Sequence, residues 1–335
     1  MRNGRVIAAI ALLTALSAGA ARADEPIKLR FAWTTVPGQL LAAFYQKPEM
    51  LKHYGKTYTV DPVYYKGSGP QITALAAGEL DIAEYAPNAL ALSIENAHLD
   101  DVRVIGNATR DGYADYNSRK YMVLADSTIH KIEDLKGKVL ATNSIAGAMD
   151  LAMRVLLRKH GLEDKRDYQV VELDFPNQFP ALTAGKIDLA SIPLPFSISV
   201  GKTGKARTLF TMRDAMGESD MTVMTGRGSF IAAHRAAIVD FFEDTQSMMR
   251  WFYDPANRTQ ALAMVAAFTK RPADSFADWL LTKEDDYRDP DIRPNLEAVQ
   301  HDIDVEAELG ILKQRIDVTK YADLSLVDEA AKRHR

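Results

Sequence analysis

The sequence contains one αβ unit twice, ITALAAGELDIAEYAPNAL at residues 72–90 and FPALTAGKIDLASIPLPFS at residues 179–197. At an offset of 107 residues the two copies share six identities, Ala74/Ala181, Leu75/Leu182, Ala77/Ala184, Gly78/Gly185, Asp81/Asp188 and Ala83/Ala190. Each copy predicts a short helix that ends at the glycine, because glycine readily adopts the left-handed conformation of a helix C-cap. Apolar strands are then expected at Leu80–Tyr85 and Ile187–Ile192.

A helix that leads into a fully apolar strand is half of a right-handed βαβ unit, so each copy implies a parallel sheet. Chance similarity is the alternative, since αβ units resemble one another in general. The spacing of about 100 residues is far longer than a solenoid period, and it favours two similar α/β lobes.

Residues 1–23 have the pattern of a secretory signal peptide. Arg2 and Arg5 precede the apolar run Val6–Leu16, and the small-residue sequence Ala21-Arg22-Ala23 follows it. We expect cleavage after Ala23. The apolar run is shorter than the roughly 20 residues of a membrane span, and no later stretch is as apolar. The mature protein is therefore expected to be exported and not inserted in a membrane.

Composition excludes several function classes. Cleavage would leave 312 residues with 38 basic and 45 acidic side chains, a net charge of −7. Such a length suits about two domains, and an acidic chain argues against a nucleic-acid partner, which needs a concentrated basic face. The absence of cysteine excludes disulfides, thiol catalysis and cysteine-based zinc sites.

Open α/β sheets bind ligands at the carboxyl ends of their parallel strands. In the first lobe, three loops at such ends carry aromatic, hydroxyl, amide and glycine residues. The candidate ligand-binding residues in these loops are Trp33, Thr34, Thr35, Ser68, Gly69, Tyr85 and Asn88. The glycine-rich turn at residues 65–70 lacks both the G-x-G-x-x-G and the P-loop patterns, so no nucleotide cofactor is implied.

The segment ADSTIHKIEDLKGKVLATN at residues 125–143 resembles the entry to the second lobe in periplasmic solute-binding proteins of ABC importers. The similar branch takes nitrate, taurine, sulfonates, thiamine precursors and related organic anions. The resemblance implies an α/β, two-lobed periplasmic-binding-protein fold, with two open, mainly parallel sheets flanked by helices and a ligand cleft between the lobes. It also implies a periplasmic location and, as partners, membrane permease subunits with a cytoplasmic ATPase.

In the second lobe, Asn143, Ser144 and Gly147 lie between a strand and an amphipathic helix. The apolar residues of that helix are Ala148, Leu151, Ala152, Val155 and Leu156, spaced as one helical face. Small side chains at its start leave the first N–H groups open to a carboxylate or sulfonate. An ordinary N-cap is the alternative.

Four further residues are candidates for ligand contacts. Phe175, Pro195 and Phe196 follow strands at the same expected edge, where a phenylalanine either packs in the core or stacks on a ligand. Arg110 follows the strand expected at Val102–Thr109, and its guanidinium could bind both oxygens of a carboxylate. A rim salt bridge from Arg110 to Asp111 or Asp115 is the alternative.

We predict that lobe I comprises residues 24–118 and 225–335, and that lobe II comprises residues 119–224. The chain would cross near Asn117–Met122 and Thr222–Gly226, and the two crossings would form a hinge. The C-terminal part of lobe I is expected to be helical, with helices that include residues 261–268, 275–281 and 296–309.

The predicted function is capture of a small organic anion without catalysis, cofactor or metal. None of the seven histidines is part of an H-E-x-x-H motif, and there is no G-x-S-x-G motif. An inorganic or aliphatic anion would be held by hydroxyls, amides and a helix end. An aromatic carboxylate would also stack on Trp33, Tyr85, Phe175 and Phe196, and these rings favour it. A cofactor-free enzyme and a sensor domain are the alternatives.

Overall fold

The computed structural model describes residues 25–34, 38–310 and 312–334. The predicted signal peptide and Thr35 lie outside these residues. The strands of the described part are β1 (Ile27–Trp33), β2 (Tyr58–Tyr64), β3 (Ala83–Tyr85), β4 (Val102–Asp111), β5 (Lys120–Leu124), β6 (Val139–Thr142), β7 (Gln169–Glu172), β8 (Leu189–Ile192), β9 (Ala206–Thr211) and β10 (Ser219–Arg227).

Helices cover both sheets. They are α1 (Leu41–Phe44), α2 (Ser68–Ala76), α3 (Pro87–Ala97), α4 (Ala148–Lys159), α5 (Phe175–Thr183), α6 (Phe196–Lys202), α7 (Met212–Met216), α8 (Gly228–Ala233), α9 (Arg235–Tyr253), α10 (Arg258–Thr269), α11 (Leu296–Glu308) and α12 (Ser325–Lys332). Among the described helices, none combines the length and the apolarity needed to cross a bilayer.

Lobe I has a two-stranded sheet, β1-β2, and a three-stranded sheet, β3-β10-β4, which lie side by side in the order β2-β1-β3-β10-β4. Strands β1 and β2 pair in parallel along their whole length. The backbone N–H of Ala32 donates to the carbonyl of Ile82 at 2.9 Å, which links β1 to the segment that leads into β3. Strand β10 lies antiparallel between β3 and β4. Four strands thus run in one direction and β10 in the other.

The sheet of lobe II has the order β7-β6-β8-β5-β9 and repeats this plan. Strand β6 is parallel to both β7 and β8, and β5 lies antiparallel between β8 and β9. Both sheets are open, mainly parallel and flanked by helices, which confirms the predicted fold class.

The repeated unit has the predicted order of elements in each lobe. Helix α2 is followed by Gly78 at a φ of +70° and by β3, whereas α5 is followed by Gly185 at +67° and by β8. The regular strands start later than expected, at Ala83 and Leu189. The positions just before them bond to β1 in lobe I and to β6 in lobe II without joining a regular ladder.

The chain enters lobe II between β4 and β5 and leaves it between β9 and β10. Because β10 pairs with β4 from Ser219 onward, we place the return to lobe I between Thr211 and Ser219, before the predicted boundary at residue 224. Ser219 and Asp220 are polar but fully buried. Their polarity concealed the start of the strand, so the predicted crossing near Thr222–Gly226 falls inside β10.

The C-terminal part of lobe I is helical, with one exception. The helix predicted at 275–281 is wrong, because a short 3-10 helix at Ala273–Ser275 and successive turns occupy this segment. Phe276 and Trp279 are buried there at helical spacing. Leu281, however, has a φ of +61°, a left-handed conformation that ends a right-handed helix. Tight turns therefore bury the same apolar residues that a helix would.

Candidate functional site

A cleft of about 600 Å³, counted out to its mouth, lies between the two sheets. Its walls are the loops at the carboxyl ends of parallel strands in both lobes, where open α/β sheets bind ligands. Its lining consists of Thr34, Gly38, Gln39, Gly67, Ser68, Glu84, Tyr85, Ala86, Thr109, Arg119, Asn143, Ser144, Gly147, Ala148, Met149, Phe175, Pro193, Met221 and Thr222. We call this space the interlobe cleft.

Seven of the candidate residues from the sequence line the interlobe cleft. They are Thr34, Ser68, Tyr85, Asn143, Ser144, Gly147 and Phe175. Tyr85 is the one fully buried aromatic ring of this set, and Phe175 lines the cleft from the other lobe. The cleft therefore combines hydroxyl and amide groups with two ring faces, the mixture expected for a small organic ligand.

Three other candidates line a separate depression beside the cleft. Trp33, Pro195 and Phe196 lie there with Phe268 and Arg271. The ring centroids of Trp33 and Phe268 are 5.3 Å apart, and the Arg271 guanidinium lies 5.2 Å from the centroid of Phe196. Thr34 lines both spaces, so this aromatic group borders the cleft without forming its walls.

Two helix N-termini face the cleft from opposite lobes. Helix α2 starts at Ser68 after Gly67, and α4 starts at Ala148 after Gly147. Neither helix has a side-chain hydrogen bond at its N-cap, and residues at both starts line the cleft. Free N–H groups and the positive end of the helix dipole favour a negative ligand group at such places.

The lobes touch across the cleft. The Asn88 amide donates to the carbonyl oxygen of Ala146 at 2.9 Å, and the Asn143 amide donates to the carbonyl oxygen of Lys66 at 3.4 Å. Gly67 lies against Ser144 so closely that a Cβ atom at Gly67 would come within 2.8 Å of the serine side chain. These contacts describe a closed arrangement of the two lobes.

Gly69 and Asn88 thus act differently from the cleft-lining candidates. Asn88 bridges the lobes as described, and a Cβ atom at Gly69 would meet nothing within 4 Å. Neither is part of the lining formed by the described residues.

Arg110 lies outside the lining as well. Its Nε atom is 3.1 Å from the buried Asp220 carboxylate, and its Nη2 donates to the carbonyl of Arg293 at 2.8 Å. The guanidinium also lies over the rings of Tyr113 and Tyr287, at 5.8 and 5.5 Å. Arg110 therefore joins β4 to β10 and to the C-terminal segment, through partners other than the two aspartates weighed from the sequence.

The cation that does line the cleft is Arg119, which sequence reasoning missed. Its Nη1 donates to Asp111 at 3.0 Å and its Nη2 to Asp286 at 3.1 Å, and all three side chains are buried. The two carboxylates offset its charge. Asp286 is 167 residues away along the chain, so no local pattern could have indicated this group.

Glu84 is the second residue that sequence reasoning missed. It is 1% exposed and lines the cleft from β3. Burial raises the pKa of its carboxyl group well above the usual range. The signal was its position, inside the repeated unit and next to the candidate Tyr85, where the second copy has Ser191.

Comparison with known families places most of the chain in one of them. Residues 21–266 match the NMT1-like family. No curated protein sequence matches the chain.

Solved structures share the fold at low sequence identity. The alkanesulfonate-binding protein SsuA from Xanthomonas axonopodis pv. citri, bound to MOPS, is 17% identical with a TM-score of 0.69, over 90% of this chain and 99% of that one. The periplasmic nitrate-binding protein NrtA from Synechocystis PCC 6803 is 13% identical with a TM-score of 0.72, over 92% and 89%. The desulfurization enzyme DszB is 16% identical with a TM-score of 0.63, over 92% and 100%. One fold thus carries both binding proteins and an enzyme.

Proposed function

The chain belongs to the NMT1-like family, and from this premise we propose that it is the substrate-binding component of an ABC importer. It captures a small organic anion in the interlobe cleft and delivers it to permease subunits that work with a cytoplasmic ATPase. The observation that carries the proposal is a cleft between two lobes of the same plan, with a helix N-terminus from each lobe in its wall. Similarity to the sulfonate- and nitrate-binding proteins supports it.

The ligand is an organic acid that carries a ring or a short chain. Tyr85 and Phe175 offer aromatic surface within the cleft, and Ser68, Asn143 and Ser144 offer hydroxyl and amide groups. A tiny inorganic ion would leave the ring faces without contact, so a carboxylate or sulfonate with some apolar surface fits better. Uptake requires the protein to lie outside the inner membrane, which agrees with the signal-peptide pattern at residues 1–23.

A ligand screen tests the proposal. We expect aromatic carboxylates, alkanesulfonates or both to raise the melting temperature of the mature chain, and calorimetry to give a stoichiometry of one. A ligand at about 100 times its Kd stabilises a protein by roughly 2.7 kcal/mol. Nitrate and a basic amino acid serve as comparison ligands. Binding of neither organic acid class, in a folded protein, would contradict the proposal.

Catalysis in the same cleft is the second candidate, and two observations favour it. DszB shares the fold, and Glu84 is a buried acid of raised pKa in the cleft, a property frequent among catalytic groups. The test is mass spectrometry of each bound ligand after prolonged incubation with the protein. Recovery of unchanged ligand supports a binding protein, whereas a new product would make it an enzyme.

A further inference from the structure

The side chain of Glu84 has no partner in the part of the chain that the structure describes. Both carboxyl oxygens are buried, and neither makes a hydrogen bond there. The backbone N–H of the same residue, in contrast, donates to the Gln71 side chain at 2.9 Å. A buried polar group without a hydrogen bond is costly, so a native protein retains one where it serves a purpose.

The second lobe shows what a purely structural residue does at this position. Ser191 occupies the corresponding place in the repeat, and its N–H donates to Gln178 at 2.8 Å just as that of Glu84 donates to Gln71. The Ser191 hydroxyl bonds to the same glutamine at 3.2 Å, so its polar group is satisfied within the lobe. The longer side chain of Glu84 instead reaches the cleft wall.

The cation of the cleft is not the partner of Glu84. Arg119 donates to Asp111 and Asp286, so its guanidinium already has two carboxylate partners. The lining therefore offers two different kinds of contact: N–H groups at the starts of α2 and α4, and one unsatisfied carboxyl group.

We propose, on the basis of the proposed function, that Glu84 binds a cationic N–H group of the ligand, so that the natural ligand is a zwitterion with both an acid group and an ammonium group. The acid group lies at the helix N-termini, and the ammonium donates to the Glu84 carboxylate. Burial disfavours the ionised carboxyl in the empty cleft, and an opposite charge beside it favours ionisation. Ligand binding therefore transfers the proton of Glu84 to the solvent buffer while the ion pair forms.

Matched ligand pairs test this inference. In each pair an ammonium group replaces a methyl group of similar size: 2-aminoethanesulfonate against 1-propanesulfonate, and 4-(aminomethyl)benzoate against 4-ethylbenzoate. We expect the ammonium member of at least one pair to bind about tenfold more tightly or better. Calorimetry at pH 6 in phosphate and in an amine buffer should give different enthalpies, because those buffers take up the released proton with different heats.

The variant Glu84→Gln keeps the size of the side chain and removes its charge. We expect the preference for the ammonium ligand to fall below about threefold and the buffer dependence to vanish. Glu79→Gln, an exposed carboxylate in the same lobe, is the matched control and should behave as wild type.

The outcomes separate this inference from the function on which it rests. Equal affinity for both members of each pair overturns the role of Glu84 and leaves the anion-binding function intact. A preference that persists in Glu84→Gln also overturns it. If no member of either pair binds and the wider screen of acids fails as well, the proposed function and this inference both fall.

Discussion

Asp81 and Asp188 make the same pair of hydrogen bonds in the two lobes. The Asp81 carboxylate accepts from the backbone N–H of Arg30 at 2.9 Å, and the Asp188 carboxylate accepts from that of Val139 at 2.9 Å. The backbone N–H of each aspartate donates in return to the carbonyl of the same partner. The aspartate of the repeat thus fastens the strand that follows it, β3 or β8, to the adjacent parallel strand, β1 or β6.

Replacing Asp81 by alanine should destabilise the protein by about 2 kcal/mol. The carboxylate is buried, and it also accepts two hydrogen bonds from the Arg30 guanidinium, at 2.9 and 2.6 Å. Urea denaturation measures the change. Asp61→Ala, which removes an exposed ion pair with Lys28, should cost less than about 0.5 kcal/mol. Equal losses in the two variants would show that the Asp81 contacts contribute little.

Adding a single methyl group at Gly67 tests whether the two lobes must close fully for ligand binding. Gly67→Ala would place a Cβ atom 2.8 Å from Ser144 of the other lobe, so we expect the lobes to close incompletely and ligand affinity to fall at least about tenfold. The φ of this residue is 178°, an extended conformation open to alanine, so the melting temperature of the free protein should hardly change.

Gly69→Ala is the control, because a Cβ atom there would meet nothing within 4 Å. Calorimetry gives the affinities, and small-angle scattering with and without ligand gives the compaction. Wild-type affinity in Gly67→Ala would mean that the contact with Ser144 is unimportant for binding.

At the scale of elements, the start of α4 should determine the affinity for the acid group. Gly147→Glu adds a negative charge beside the free N–H groups, and we expect it to weaken binding of an organic acid by more than about tenfold. Gly201→Glu puts the same side chain on the exposed face of α6, with open space around it, and should leave affinity unchanged. Calorimetry and melting temperatures for both variants separate lost binding from lost folding. Tight binding by a folded Gly147→Glu protein would exclude this helix from the site.

The repeat also shows how far the sequence could predict these elements. The helix, the glycine cap and the apolar strand follow from local preferences, and the structure has all three in both lobes. Gln71 and Gln178 also align at the offset of 107, and each is fully buried against the strand that follows it. They escaped notice because a buried glutamine has the composition of a surface residue, and only the hydrogen bonds of the folded chain identify it.

The cleft-lining residues in loops at strand ends could be predicted from the sequence. The roles of the arginines could not, because they depend on partners far away along the chain. Ser68, Tyr85 and Asn143 follow directly from the position of their loops. Arg110 and Arg119 have similar local surroundings, and the difference between them is set by Asp220, Asp111 and Asp286. The contacts with Asp220 and Asp286 arise from the packing of β10 and of the C-terminal segment, which the sequence does not encode locally.

At the scale of the whole molecule, stability should be greatest near pH 4–5. Burial raises the pKa of Asp220 to about 7 and the pKa of Asp302 well above its usual range. Such groups stabilise the fold fully below their unfolded pKa, and this contribution is lost as the pH rises through the folded pKa. Burial alone would raise the pKa of Glu243, but hydrogen bonds from Lys52, Arg333 and His53 lower it to about 2. The stability that the ionised Glu243 carboxylate contributes is therefore lost below pH 4.

Melting temperatures between pH 3 and pH 8 measure this profile, with a decline expected from pH 5 to pH 8. Asp302→Asn should reduce that decline by raising the melting temperature at pH 8, because no charge then has to be buried. Glu308→Gln changes an exposed carboxylate near the end of the same helix and should leave the profile as it is. A profile that rises towards pH 8 would contradict the assignment.

The position of β10 has a consequence for the order in which the chain acquires its structure during synthesis. Lobe II is one uninterrupted segment, from β5 to β9, and its sheet needs no residue from elsewhere. The sheet of lobe I takes β10 between β3 and β4, so β4 has no partner strand until residue 219 has emerged. A chain released from its N-terminus can therefore finish the second lobe first, while the first lobe stays incomplete and available to a chaperone until the last third of the protein arrives.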